Sequence, residues 1–306
     1  MLRATSRCRR QVQPENSFFG RPAISSLASA VDRRPVLKPG TVLRRLGVAL
    51  CLVSLAVCSS GAARAEEGER WHAPFGGAFS ANFTVTSDYS FAGVSQTKLG
   101  PAFQAGLDYK TPEVSETVPL WLYVAAWGSN IDFPATGQGV EIDLSGGLKF
   151  HAFDRRLSVD LGYIRYLYPG IPSDLAYDYG EVSLNAGYDF GVATLAGRVR
   201  YSPNSFGRSG ISWNKRALLS VPLSFLHVSE DISFKAYGTL GNIWVDRFLA
   251  YGLPSNDYWY WQLGLVTTAY GLDLTVAYTD TSIEPAGCGF TNYCAGRVFV
   301  SVTKTF

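Results

Sequence analysis

No stretch of this chain is apolar for the roughly 18 residues that a membrane-crossing helix needs. Its longest apolar run, LGVALCLVSLAVC, covers only 46–58. Histidine is scarce, and His72, His151 and His227 all lie far in sequence from the cysteines. A metal centre would thus lack its commonest ligand, and no cofactor is expected. Glycine-rich phosphate loops are missing too, as are paired carboxylates at catalytic spacing. With no such constellation in view, the chain reads as a non-enzyme.

What precedes the main body is distinct. Arg44-Arg45, the apolar run and the small residues of Ala63-Arg64-Ala65 form the basic, apolar and small-x-small zones of a secretory signal peptide. Residues 42–65 are therefore expected to be removed by cleavage after Ala65. A lipoprotein signal at Leu55-Ala56-Val57-Cys58 is the weaker alternative, because Val57 is bulky where a small residue is wanted. Residues 1–41, Arg-rich and Pro-containing, are expected to be disordered or untranslated, with translation starting near Val42. Residues 66–77 form a short periplasmic lead-in.

Setting residues 1–65 aside changes the balance of charge. They hold 11 of the 27 basic residues but only 2 of the 25 acidic ones, so the 241 residues after Ala65 carry 16 basic, 23 acidic and a net −7. No basic footprint remains for nucleic acid. Cys8, Cys51 and Cys58 leave with the precursor. Cys288 and Cys294 remain, and in an exported chain they read as a disulfide closing the GCGFTNYC loop.

What the rest of the chain has in abundance is period-2 alternation. Phe79, Ala81, Phe83 and Val85 alternate with Ser80, Asn82, Thr84 and Thr86, a strand with one dry and one wet face. The pattern recurs at 102–110, 119–129, 139–150, 157–166, 178–190, 192–201, 211–223, 232–240, 258–268, 272–279 and 297–306. That makes about twelve strands, with the stretch around Pro222 the least regular. Long connections (KLGP, SNIDFPATGQ, YPGIPSDLAYD, SPNSFGRSG, VDRFLAYGLPSND, EPAGCGFTNYCAG) alternate with mostly short ones such as AFDRR, DFGV, HVSED and AYG. Strands of this length, long loops on one rim and tight turns on the other describe an all-β, antiparallel, up-and-down transmembrane barrel over 78–306. In lipid every backbone group must be paired, so the sheet has to close. Trp121, Tyr123, Trp127, Tyr163, Tyr166, Tyr168, Trp259, Tyr260 and Trp261 fall toward strand ends and are expected to form interfacial girdles. The reverse arrangement, a soluble barrel burying these rings, is the alternative.

Val298, Val300, Val302 and Phe306 share a parity. An aromatic end after alternating apolar residues reads as an insertion signal, Phe306, for the barrel-insertion machinery. Lys304 interrupts it, its stem able to lie along lipid while the ammonium reaches water.

The blocks SDYSFAGVSQT (87–97), LYVAAWGSNIDF (122–133), GVEIDLSGGLKF (139–150), YIRYLYPG (163–170), YDYGEVSLNAGYDF (177–190), LDLTVAYTDT (272–281) and the RVFVSVTKTF end resemble those of the TorF-type porin family over nearly all of 78–306. Ala92 departs from that pattern, standing where the family more often has arginine. The resemblance implies a bacterial outer-membrane barrel that passes small hydrophilic solutes.

In a channel the working parts are lumen charges. By strand parity these are Asp108, Glu141, Asp143, Asp160, Glu181, Arg198, Arg200, Lys235 and Arg297. Arg198 and Arg200, two apart, project to the same side, facing the acidic group across the bore. Three readings compete: a porin; a closed barrel that binds, adheres or serves structurally through its extracellular loops, its charges paired across a narrow lumen; and a barrel lipase, for which the histidines are badly placed.

Overall fold

The computed structural model describes residues 73–114, 119–226, 228–289 and 291–306. The signal peptide with Ala65, residues 1–41, the first part of the lead-in, His72, His227 and Cys8, Cys51 and Cys58 lie outside the described residues.

Alternation becomes strand throughout. The elements are β1 (Ala78–Thr86), β2 (Ser90–Phe91), β3 (Val94–Ser95), β4 (Ala102–Lys110), β5 (Leu120–Phe133), β6 (Gly137–Ala152), β7 (Leu157–Leu167), β8 (Tyr179–Asp189), β9 (Thr194–Ser202), β10 (Ser212–Pro222), β11 (Ile232–Val245), β12 (Asp257–Ala269), β13 (Leu272–Thr281) and β14 (Arg297–Thr305), with the short helix α1 (Phe248–Tyr251) between β11 and β12. Among the described residues, β1 and β4–β14 form one closed antiparallel barrel of twelve strands, each paired with its sequence neighbours, and β1 seals the ring against β14. Strands β2 and β3 form a separate small hairpin.

The barrel is inside out relative to a soluble fold. Val182 and Leu184 on β8 are 47% and 49% exposed, whereas Glu181 and Ser183 between them are 4% and 3% exposed. Val140, Leu144, Leu161, Leu195, Leu263, Val298 and Val300 continue the apolar outer surface. Greasy outside, polar inside and free of unpaired edges, the sheet meets the conditions for crossing a bilayer with strands. A soluble core behind Val140 and Val182 is thereby ruled out.

Strand bounds differ from the sequence expectation chiefly on the long-loop side. SNIDFPATGQ is mostly strand, with only Pro134, Ala135 and Thr136 left as a turn: β5 runs to Phe133 and β6 starts at Gly137, because Ile131 and Phe133 bury themselves inward and prolong the pairing. VDRFLAYGLPSND likewise begins as strand, up to Val245. The irregular stretch is one continuous strand, and Pro222 is its last residue, a place where a missing N–H is tolerated. At the opposite rim, Tyr270 and Gly271 join β12 to β13 with φ of 50° and 73°, the doubly positive pair of a two-residue hairpin turn.

The girdle expectation is corrected for most rings. Tyr163 and Trp259 do face outward. Trp121, Tyr123, Trp127, Tyr166 and Tyr260 share the inward parity of their strands, opposite Lys149, Gly147, Asp143, Tyr179 and Gly241, and Tyr168 is buried in the loop beyond β7. Period 2 groups residues by face, but an aromatic suits either environment. Inward glycines make the difference: Tyr260 lies over Gly241, Tyr237 over Gly264 and Tyr123 over Gly162, filling space that a Cβ would block.

Candidate functional site

The lumen changes character along its length. At the long-loop end the connections turn inward. Phe206, from the β9–β10 loop, is 2% exposed and stacks on Tyr177 of the β7–β8 loop with centroids 4.0 Å apart. Phe133 of β5, Tyr168, Tyr179 of β8 and Tyr251 of α1 complete a ring of aromatics around it. Four separate segments thus meet on one phenyl group.

The β1–β4 connection contributes a second insert. Tyr89 packs its ring edge on Trp127, 5.6 Å between centroids, and its hydroxyl donates to both Glu141 oxygens at 3.4 Å. Arg297 anchors this segment, its Nε donating to Asp88 Oδ2 at 2.6 Å and its other nitrogens to Gly93 O, Tyr293 O and Ser90 Oγ. The Cys288–Cys294 disulfide is formed in the neighbouring β13–β14 loop, and Thr281 Oγ1 donates to Cys294 O.

Below the aromatics lies a charged layer. Glu141 and Asp143 of β6, Glu181 of β8 and Arg198 and Arg200 of β9 are all inward and buried. Arg200 Nη1 stands 3.7 Å from Glu181 Oε2 and donates to the Tyr166 hydroxyl, which itself donates to Glu181, each at 2.8 Å. Charges this deep are tolerable only when paired and hydrogen-bonded.

The short-turn half is polar and more accessible. Asp160 accepts from the Tyr123 hydroxyl at 3.0 Å and lies 3.7 Å from Lys149 Nζ. Asp108 and Lys235 line the same half, Lys235 exposed at the mouth. Thr84, Thr275, Ser301 and Thr303 continue the lining on β1, β13 and β14. Lys304, on the outer face, donates to Gly271 O at the rim, the snorkelled placement expected of it. His151 packs at a tilt against Trp121, 4.9 Å between centroids.

The nine sequence-predicted charges therefore occupy three heights rather than one ring: Arg297 at the long-loop rim, five in the buried layer, and Asp108, Asp160 and Lys235 toward the short-turn mouth. Sequence reading missed Arg216 and Lys149. Arg216 shares the inward parity of Ser212 and Asn214 on β10, a signal hidden by Leu218 and Pro222 nearby. Lys149 alternates with Leu148 and Phe150 and was legible on the same grounds as Glu141.

Fold and lumen define a transmembrane β-barrel with an ionic interior. The chain belongs to the family described as "Bacterial protein of unknown function (Gcw_chp)", whose profile matches residues 72–306. No curated protein matches it significantly in sequence. Among solved structures it is similar to an outer membrane channel from Pseudomonas putida F1 (TM-score 0.44, 13% identity, covering 79% of this chain and 99% of that one). It is also similar to the NanC porin (TM-score 0.43, 10% identity, 74% and 98%) and to LpxR from Salmonella typhimurium (TM-score 0.39, 8% identity, 74% and 99%). At these values the likeness adds nothing to what the strand pairing establishes.

Proposed function

We propose that this protein is a bacterial outer-membrane porin of small bore, passing hydrophilic solutes or ions by passive diffusion through its charged lumen, as the TorF-type resemblance implies. The observation that carries the reading is the inner wall: polar and charged side chains line it from the short-turn mouth up to the Glu141–Arg200 layer. A barrel that served only as an anchor would have no need of ionic groups in the middle of its bore. On this reading Asp108, Glu141, Asp143, Asp160, Glu181, Arg198, Arg200 and Lys235 set ion preference, and Arg297 holds the outer loops. The secreted precursor is cut after Ala65, and Phe306 is read by the insertion machinery.

A second reading draws support from the aromatic cap around Phe206, which fills the long-loop end: a closed barrel acting through its loops as a binding or adhesion surface. Recordings from the purified protein in planar bilayers separate the two. Stepwise current supports the porin; its absence supports the closed barrel. Turnover of phospholipid by the same preparation would instead revive an enzyme. Replacing Arg198 and Arg200 by Glu is expected to move the reversal potential toward cation preference, and an unmoved potential would remove these residues from the conduction path.

A further inference from the structure

The outer wall of the barrel is not uniformly greasy near the long loops. Strand register lines up Tyr163, Val182, Tyr201, Trp213 and Trp244, on β7 to β11, as one outward row. Tyr201 and Trp213 touch at a tilt, 4.7 Å between centroids. Tyr163 lies over Gly180, in the space a Cβ would fill, so its hydroxyl reaches toward the long-loop rim. The row supplies the interfacial belt that the inward-facing rings do not. One outward step above it, toward the loops, stands Arg165, the register partner of Gly180; one outward step below it stands Lys215, the register partner of Val199. Both are exposed.

The outward charges at this end of the strands differ in one respect. Each acidic one is met by a donor of the chain: Asp132 by Lys98, Asp257 by the Asn242 amide at 3.0 Å and Asp280 by the Tyr278 hydroxyl at 2.9 Å. Among the described residues, the side chains of Arg165 and Lys215 have neither an ion pair nor a hydrogen bond. A cation among acyl chains is costly unless its head reaches a polar layer, and Lys215 shares its row with the exposed apolar Val199 and Leu184. Its long stem can run up to the level of the aromatic row, where headgroups begin.

We propose that the outer face of β7 to β10 docks a lipid with a phosphorylated headgroup, Arg165 and Lys215 holding its phosphates and the row from Tyr163 to Trp213 packing against its headgroup and upper acyl chains. In barrels of this kind the long loops lie outside the cell, so the lipid belongs to the outer leaflet. A guanidinium fork takes phosphate oxygens two at a time, and the lysine adds a point charge. Apolar side chains around both cations favour a lipid over free phosphate. The inference goes beyond solute passage and holds whether the bore conducts or is closed.

The test is native mass spectrometry of the purified protein in a neutral sugar detergent, with added bisphosphorylated lipid A and, in parallel, lipid A stripped of its phosphates. The phosphorylated lipid is expected to be retained in preference. Arg165→Gln and Lys215→Gln should each lower its retention about fivefold, the effect of one basic residue at an anionic surface, while Arg165→Lys keeps most of it. Lys304→Gln removes the same charge from the short-turn end of the lipid face and should change nothing. Should Arg165→Gln not fold, judged by resistance to SDS before heating, Lys215→Gln and Arg165→Lys decide. Equal retention of the two lipids, equal losses in Lys304→Gln and Lys215→Gln, or displacement of the lipid by millimolar inorganic phosphate would overturn the site. So would a dimer of the chain that both Gln variants abolish, since the face would then belong to a second copy. Bilayer current is expected to be the same in both variants as in the unaltered protein, which keeps failure of the lipid site apart from failure of the pore reading.

Discussion

The two halves of the lumen are built from one strand pattern yet reach opposite ends. Toward the short turns the inward positions are Thr84, Asp108, Asp160, Ser301 and Thr303, partly accessible and wet. Toward the long loops the same parity brings Ile131, Phe133, Ile164, Tyr166 and Ile243, and the loops lay Tyr89, Phe91, Phe206 and Tyr251 over them until a dry cluster forms. Alternation therefore decides which residues face the bore, while connection length decides whether the bore stays open. A two-residue turn such as Tyr270-Gly271 has nothing to fold inward. The β7–β8 and β9–β10 connections carry enough chain to bring Tyr177 and Phe206 over the opening.

The sharpest way to break the contrast is Phe206→Ala. Emptying the centre of the aromatic ring should cost the cap about 3–5 kcal/mol. Unitary conductance is expected to rise and the long loops to become sensitive to added protease, and unchanged current would mean that the cap is not the barrier. Arg297→Ala should act next, at about 1.5–3 kcal/mol for the loss of its charge-assisted bonds to the Asp88 segment. It should free the β2–β3 hairpin, read as faster amide exchange in 88–97 with the barrel strands unaffected. Cys288→Ser is expected to cost about 2 kcal/mol by chain-entropy reasoning for so short a loop, visible as loop proteolysis rather than a change in barrel unfolding.

The smallest effect belongs to the short-turn rim. Arg155 donates to Glu113, and that hydrogen bond is the main reason the Glu113 carboxyl sits below its ordinary value. A lowered carboxyl favours the fold above the unfolded-state value, and the benefit fades as pH falls through the folded one. Because the pair is exposed, the gain is slight. Carbon-detected NMR titration should show Glu113 returning to the ordinary range in Arg155→Gln, with Tm nearly unmoved.

Much of the fold was legible because closure in lipid leaves the backbone little freedom. Ala102–Lys110 is a strand with the bounds its alternation predicts, and Glu141, Asp143, Glu181, Arg198 and Arg200 are buried on the parity opposite to the exposed apolar residues. Cys288 and Cys294, as the last two cysteines after Ala65, implied their own bridge. Less legible was the facing of aromatics. Tyr123 and Tyr166 suit a lipid interface and a packed lumen equally well, and the choice depends on glycines and a tyrosine one or two strands further along the chain.

By itself, then, the sequence determined that about twelve alternating strands build one barrel, which of their faces are greasy and which polar, and the disulfide, since each follows from neighbours two to six residues apart. Only the tertiary structure decided that the long-loop end is filled, that Arg297 ties down a loop instead of lining the bore, and that Tyr201 meets Trp213 on the outer face. Those outcomes depend on register between strands and on loops meeting across the barrel, contacts between residues far apart in the chain that no local pattern encodes.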